Sequence, residues 1–373
     1  MSSLCALTRG GHYTTQLRLQ LGAPVEGAYA ERYHRAPMAH TSLPQTAFDA
    51  VLLISFGGPQ GPDDIRPFLA NVLRGRRIPP ARVEEVAHHY ELFGGVSPIT
   101  ELTLRQADGL RTRLERDGPH LPVYVGMRNW HPYLADTLRD MRQAGVRRAV
   151  GLILAAHRSY SSCEQYKRNV VMARREIKNA GLGDVEVTYV GDWHAHAGFV
   201  GNKKKHLQAA RETLPAPMRS RARLVFTAHS IPISMAEKAR YQEQLLESAR
   251  RIAAGAGCAD WVLVFQSRSG RPQDPWLEPD ICDYLRAERA SGLDAVVICP
   301  VGFVADHVEV LYDLDFEAAE VCREVGIEMR RAPAVNDDPQ FLDLMADMVR
   351  GTVDRYRGGR PLAICSPTDP EAV

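Results

Sequence analysis

The sequence predicts an α/β fold of two doubly wound, Rossmann-like parallel sheets that face one another across a cleft. Three observations carry this expectation. From Asp49 onward, short aliphatic or β-branched runs alternate with longer amphipathic stretches, the pattern of parallel strands covered by helices on both faces. The chain also passes twice over one plan. Each half opens with an apolar run entering a small-residue turn that ends in Pro, Ser55-Phe56-Gly57-Gly58-Pro59 in the first and Ala228-His229-Ser230-Ile231-Pro232 in the second. Finally, 373 residues is too long for one ordinary core and suits two.

Taken in order, residues 1–47 mix Gly, Thr, Arg and Ala without a sustained period and lack the apolar core of a signal peptide, so a disordered extension is expected. A first domain over 48–190 holds strands at 50–55 (AVLLIS), 122–127 (PVYVGM), 148–154 (RAVGLIL) and 186–190 (EVTYV). Its helices fit 99–117, 132–145 and 163–180; Asp63 and Asp64 are placed to cap a helix, and Ser97 to cap the one that follows Gly94-Gly95. A second domain over 191–357 holds strands at 222–227 (ARLVFT), 261–265 (WVLVF), 295–299 (AVVIC) and 327–331 (IEMRR), with helices over 236–254 and 338–356. Residues 358–373 read as a tail.

Composition excludes several classes of function. A net charge of +1 with no basic stripe argues against nucleic-acid binding. No run approaches the roughly eighteen apolar residues of a spanning helix, which leaves peripheral membrane contact open. Seven scattered cysteines, without a C-x-x-C pair, fit a reducing cytoplasm. Gly57-Gly58-Pro59 is neither G-x-G-x-x-G nor a Walker loop, so no nucleotide is expected.

His229 lies just past an apolar run, where ligands gather in open α/β sheets, though a lone histidine is more often structural than catalytic. Glu309, Asp313 and Glu317 recur at i, i+4 and i+8, which is either a solvated helical face or a track of hard oxygen ligands for a divalent cation. His194-x-His196 has the spacing of two metal ligands but no third partner nearby.

Together, LLISFGGPQGPDDIRPFL, HHYELFGGVSPIT, VGMRNWHPY, HRSYSSCEQY, VFTAHSIP, VFQSRSGRPQDPWLEPD and CPVGFVADHVEVLYDLD resemble the ferrochelatases, over residues 48 to 357. The resemblance implies a class II chelatase-like fold and a lyase of haem biosynthesis, located in the cytoplasm, that inserts ferrous iron, its substrate, into a porphyrin. It further implies that His229 and Glu309 are catalytic, and that His229, Glu309, Asp313 and Glu317 handle the metal. Similarity to the bacterial coproporphyrin III enzymes implies Ser97, Ser162 and Tyr166 as propionate contacts, with Arg76, Tyr90 and Arg128 lining the pocket. Two departures stand out: Phe56 occupies a place where some relatives carry a metal-facing Tyr, and can only be a packing wall, while Leu73 replaces an expected basic residue. With only Cys365 in the tail to join Cys163, no [2Fe–2S] cluster of the family's kind is expected. Transient contact with neighbouring haem-pathway enzymes is also implied. The alternatives are a protoporphyrin IX ferrochelatase and a carrier that binds haem or porphyrin without catalysis.

Overall fold

The computed structural model describes residues 47–75, 78–269 and 273–357. The predicted terminal extension and tail, Arg76 and Cys365 lie outside the described residues, apart from Ala47.

Among the described residues, eight strands form at the eight apolar runs. In the first half these are β1 (Ala50–Ser55), β2 (Val123–Met127), β3 (Arg148–Ile153) and β4 (Glu186–Tyr189). Between them run α1 (Ile65–Val72), α2 (Pro80–Leu92), α3 (Pro98–Asp117), α4 (Leu134–Gln143) and α5 (Gln165–Asn179). The second half holds α6 (Ala197–Glu212), β5 (Arg223–His229), α7 (Tyr241–Gly255), β6 (Trp261–Gln266), α8 (Ile281–Ala290), β7 (Ala295–Cys299), α9 (Ala319–Val325), β8 (Glu328–Arg331) and α10 (Pro339–Arg355). All pairings are parallel, in the orders β2-β1-β3-β4 and β6-β5-β7-β8. The two halves therefore repeat one topology. Every residue of β1 and β7 is buried, because helices cover both faces of each sheet; that is why these strands read as continuous apolar runs rather than alternating ones.

In such a sheet the strand order reverses beside the first strand, and ligands bind outside the carboxyl ends there. Phe56 leaves β1 at that point and His229 ends β5 at its counterpart. One helix departs from the expected division of the chain. α10 follows the second sheet in sequence but packs on the first, where fully buried Phe341, Met345 and Val349 join Val51, Leu53 and Val150 in one core.

Local winding corrects four expectations. The helix expected over 236–254 is broken: a turn at Ile233–Ala236 stops and α7 begins at Tyr241, whose ring is buried and whose hydroxyl donates to the His229 carbonyl at 3.0 Å. The helix expected from 163 begins instead as a π-turn, Tyr160–Glu164, started by reciprocal hydrogen bonds between Ser159 and Ser162. Glu309, Asp313 and Glu317 do not lie on one regular α-helix, since a short turn at Val308–Val310 runs into a π-helix, Leu311–Ala318. Lastly, Ser97 stands at the N-cap of α3 without making the capping bond, and the Asp64 carboxylate accepts from the Gln60 backbone N–H at 2.9 Å instead of capping α1.

Candidate active site

His229 and Glu309 meet from different elements of the second half. β5 carries the imidazole to its carboxyl end; after β7, a loop leads through His307, which caps the next turn with Nδ1, to Glu309. Nδ1 of His229 lies in short contact with the Ser230 carbonyl, which only accepts, so the ring hydrogen sits on Nδ1. The Nε2 lone pair then faces Glu309 Oε1 at 3.3 Å. Two lone pairs at that distance repel unless a proton or cation lies between them. Over a third of each side chain is open to the cleft, yet Oε1 is itself sealed from solvent and has no hydrogen-bond partner. Burial alone raises the pKa of Glu309, but the imidazoles of His229 and His307 and the Ser267 hydroxyl pull it lower still, so the carboxyl lies below its ordinary range.

Asp313 behaves oppositely. Burial, then the charge of Glu309, push its carboxyl up to about 8, with the hydroxyl of Ser267 and the amide of Gln266 acting against them. Ser267 bonds Asp313 Oδ2 closely, and Gln266 Nε2 donates to the same oxygen at 3.2 Å. Glu317 is exposed on the next turn, its carboxyl raised by desolvation and by Asp280. The two neighbouring carboxyls thus hold opposite protonation states near neutrality. Among the described residues, no three acidic, histidine or cysteine side chains converge into a metal cage, so His229 and Glu309 form an open pair.

The first half supplies a wall. Phe56 packs beside Phe68, Tyr90 and Trp130, and also against Ala305 of the second half. The Arg128 guanidinium lies over both Phe56, at 5.7 Å, and Tyr166, at 5.3 Å, and Nη1 donates to Gln165 at 3.0 Å. Phe56 is thus a packing surface. Tyr90 is partly buried, and desolvation followed by the charge of Glu309 raises its phenol pKa, so the wall and the acid face a common space. Ser97 is buried against Gly58. The Ser162 hydroxyl donates to the His157 carbonyl at 2.7 Å within its own turn. His194 and His196 are structural, the first bonded to Glu247 at 2.9 Å and the second capping α6. A cavity of about 520 Å³ opens between the halves, bordered by Arg158, Ser159 and Tyr160 on one side and Met235, Lys238 and Arg240 on the other.

A family model for ferrochelatase matches residues 48–353. The chain belongs to the ferrochelatase family. It is 46% identical over 304 residues to the ferrochelatase of Rhodopirellula baltica, covering 81% of this chain and 86% of that one. It is 44% identical over 331 residues to the coproporphyrin III ferrochelatase of Streptomyces coelicolor, covering 85% and 88% respectively. Among solved structures, SirB from Bacillus subtilis shares the fold, with a TM-score of 0.51 at 10% identity over 83% of this chain and 97% of that one.

Three site residues of this ferrochelatase-family chain escaped sequence reasoning: Gln266, Ser267 and Tyr241. Gln266 pairs with His229 in the register of β5 and β6, and Ser267 takes a left-handed φ of 63° just beyond, which turns its hydroxyl toward Asp313. The motif VFQS was visible, but not its target 46 residues away. Behind the acidic segment, Arg331 at the end of β8 donates to Asp315 at 2.6 and 2.8 Å and to Asp306 at 2.8 Å. Fully buried Lys203 donates to the carbonyls of Pro300 and Phe303 at 2.6 and 2.8 Å.

Proposed function

We propose that this chain inserts ferrous iron into coproporphyrin III, with His229 and Glu309 as the reacting pair. The observation that carries the proposal is the sealed, unpartnered Oε1 of Glu309 facing Nε2 of His229, an arrangement completed only by a proton or a cation. Metallation exchanges two pyrrole N–H protons for Fe²⁺. Nε2 of His229 takes a pyrrole proton, because Nδ1 is already committed to Ser230. Ionised Glu309 offers a hard anionic oxygen to the incoming iron and, once the iron passes to the ring, takes the second pyrrole proton, with Ser267 linking it to Asp313 for exchange of that proton outward. Phe56, Tyr90, Arg128 and Tyr166 form the wall against which the macrocycle lies.

Two features favour a substrate with four carboxylates. The relative from Streptomyces coelicolor is named for coproporphyrin III, and cationic Arg158, Lys238 and Arg240 border the cavity between the halves, with Arg128 over the Phe56 ring of the wall. Ser97 and Tyr166 are the proposed hydroxyl contacts, and Ser162 acts by shaping its turn. A cytoplasmic setting fits a chain in which, among the described residues, no helix is long and apolar enough to cross a membrane.

The test is anaerobic turnover of the purified chain with Fe²⁺ and either coproporphyrin III or protoporphyrin IX, followed by the Soret shift. Faster conversion of coproporphyrin III is expected, and preference for protoporphyrin would overturn the substrate assignment. In parallel, His229→Ala is expected to bind porphyrin and fail to metallate it; near-normal turnover by that variant would sink the role of His229.

A further inference from the structure

We infer that Arg331 is a positioning residue for the insertion step: from the carboxyl end of β8 it ties together both flanks of the segment that carries Glu309 and Asp313. The inference rests on the reading of His229 and Glu309 as the reacting pair. Asp306 precedes Glu309 by three residues and Asp315 follows Asp313 by two. One guanidinium binds both aspartates, so the turn and the π-helix between them are held as a closed span.

The span is anchored at further points. Asp306 accepts from the Asn336 side-chain amide at 2.8 Å and donates its backbone N–H to the same side chain at 2.9 Å. Asn336 in turn accepts from Gln106 of α3 at 2.7 Å, which ties the acidic segment to the first half and hence to the wall opposite. Arg331 and Asp306 are each 14% exposed, so the pair is largely withdrawn from solvent and holds the segment from within the fold. The planar fork is needed because two N–H groups meet Asp315 in parallel while a third nitrogen contact reaches Asp306; a lysine offers one point charge and cannot bridge both. Since a displacement of about 1 Å at reacting atoms lowers rates by up to about a hundredfold, loosening this span is expected to lower kcat more than substrate binding.

The experiment compares the full chain with Asp315→Asn, Asp315→Glu and Arg331→Lys, with His229→Ala as the reference for a lost site. Two readouts are taken: anaerobic iron insertion into coproporphyrin III, and Co²⁺ affinity without porphyrin, from the visible absorbance of the bound ion. Asp315→Asn is expected to lower kcat about tenfold or more while porphyrin affinity stays within about twofold, and to weaken Co²⁺ binding toward the His229→Ala level. Asp315→Glu, which keeps the charge, is expected to recover part of both. A folded Asp315→Asn variant with unchanged kcat and Co²⁺ affinity would overturn the inference, whatever its melting temperature. If Arg331→Lys does not fold, the Asp315 variants decide, since Asp315 is the more exposed partner. If the unaltered chain inserts no iron, the functional reading fails, and Co²⁺ affinity still decides the role of Arg331.

Discussion

At the scale of single residues, the site works by giving similar groups different environments. Glu309 is held ionised by two imidazoles and a hydroxyl, while Asp313, four residues on, is kept protonated by burial and by Glu309 itself. Glu309→Gln removes the charge without changing shape, and insertion is expected to fall by about two to four orders of magnitude, the usual contribution of a positioned acid–base group, with porphyrin binding retained by titration. Asp313 also predicts a pH dependence of stability. Its folded pKa is raised, so between the ordinary carboxylate range and about 8 the folded chain holds a proton the unfolded chain has lost. Stability therefore falls as pH rises through that window, by up to about 1.4 kcal/mol per pH unit for one proton. Asp313→Asn is expected to flatten the fall, seen as a melting temperature that changes less between pH 5 and about 8. His229, Glu309 and Asp313 were legible in the sequence because each sits in a run of matching neighbours. The partners that tune them were not, since Gln266 and Ser267 reach Asp313 only after two elements have packed side by side.

At the scale of elements, strands were legible and winding was not. Parallel strands buried on both faces announce themselves as apolar runs, and all eight form close to the expected positions. A π-helix has the same composition as an α-helix, so neither Tyr160–Glu164 nor Leu311–Ala318 could be read from periodicity. The break before α7 was equally hidden, because it serves to seat Tyr241 beneath His229, a contact made at a distance in the chain. The approach of the loop after β7 to β5 gives a test at this scale. A Cβ on Gly302 would stand 2.6 Å from Ala228 Cβ and 2.8 Å from its Cα. The neighbour is partly backbone and cannot swing aside, so Gly302→Ala is expected to cost about 1–3 kcal/mol in denaturant unfolding. It should also slow insertion, because Ala228 and Gly302 lie on the two limbs that present His229 and Glu309.

At the scale of the whole molecule, the repeated strand order makes the halves look independent, but α10 joins them. Its fully buried Phe341 sits in the core of the first sheet, so Phe341→Ala is expected to cost about 3–5 kcal/mol. Thermal unfolding should remain one transition, measured by coincident far-UV and tryptophan signals; a first half that melted separately would contradict this role for α10. The sequence showed the duplication and hid the crossing, since nothing in an amphipathic helix says which sheet it will cover. The crossing has a consequence for synthesis. About 150 residues separate the end of β4 from α10, which at ribosomal speed is roughly ten to thirty seconds during which the first sheet is made and α3 covers only part of the face that α10 completes. The amino-terminal half thus emerges first and matures last, and in that interval chaperones are expected to find it.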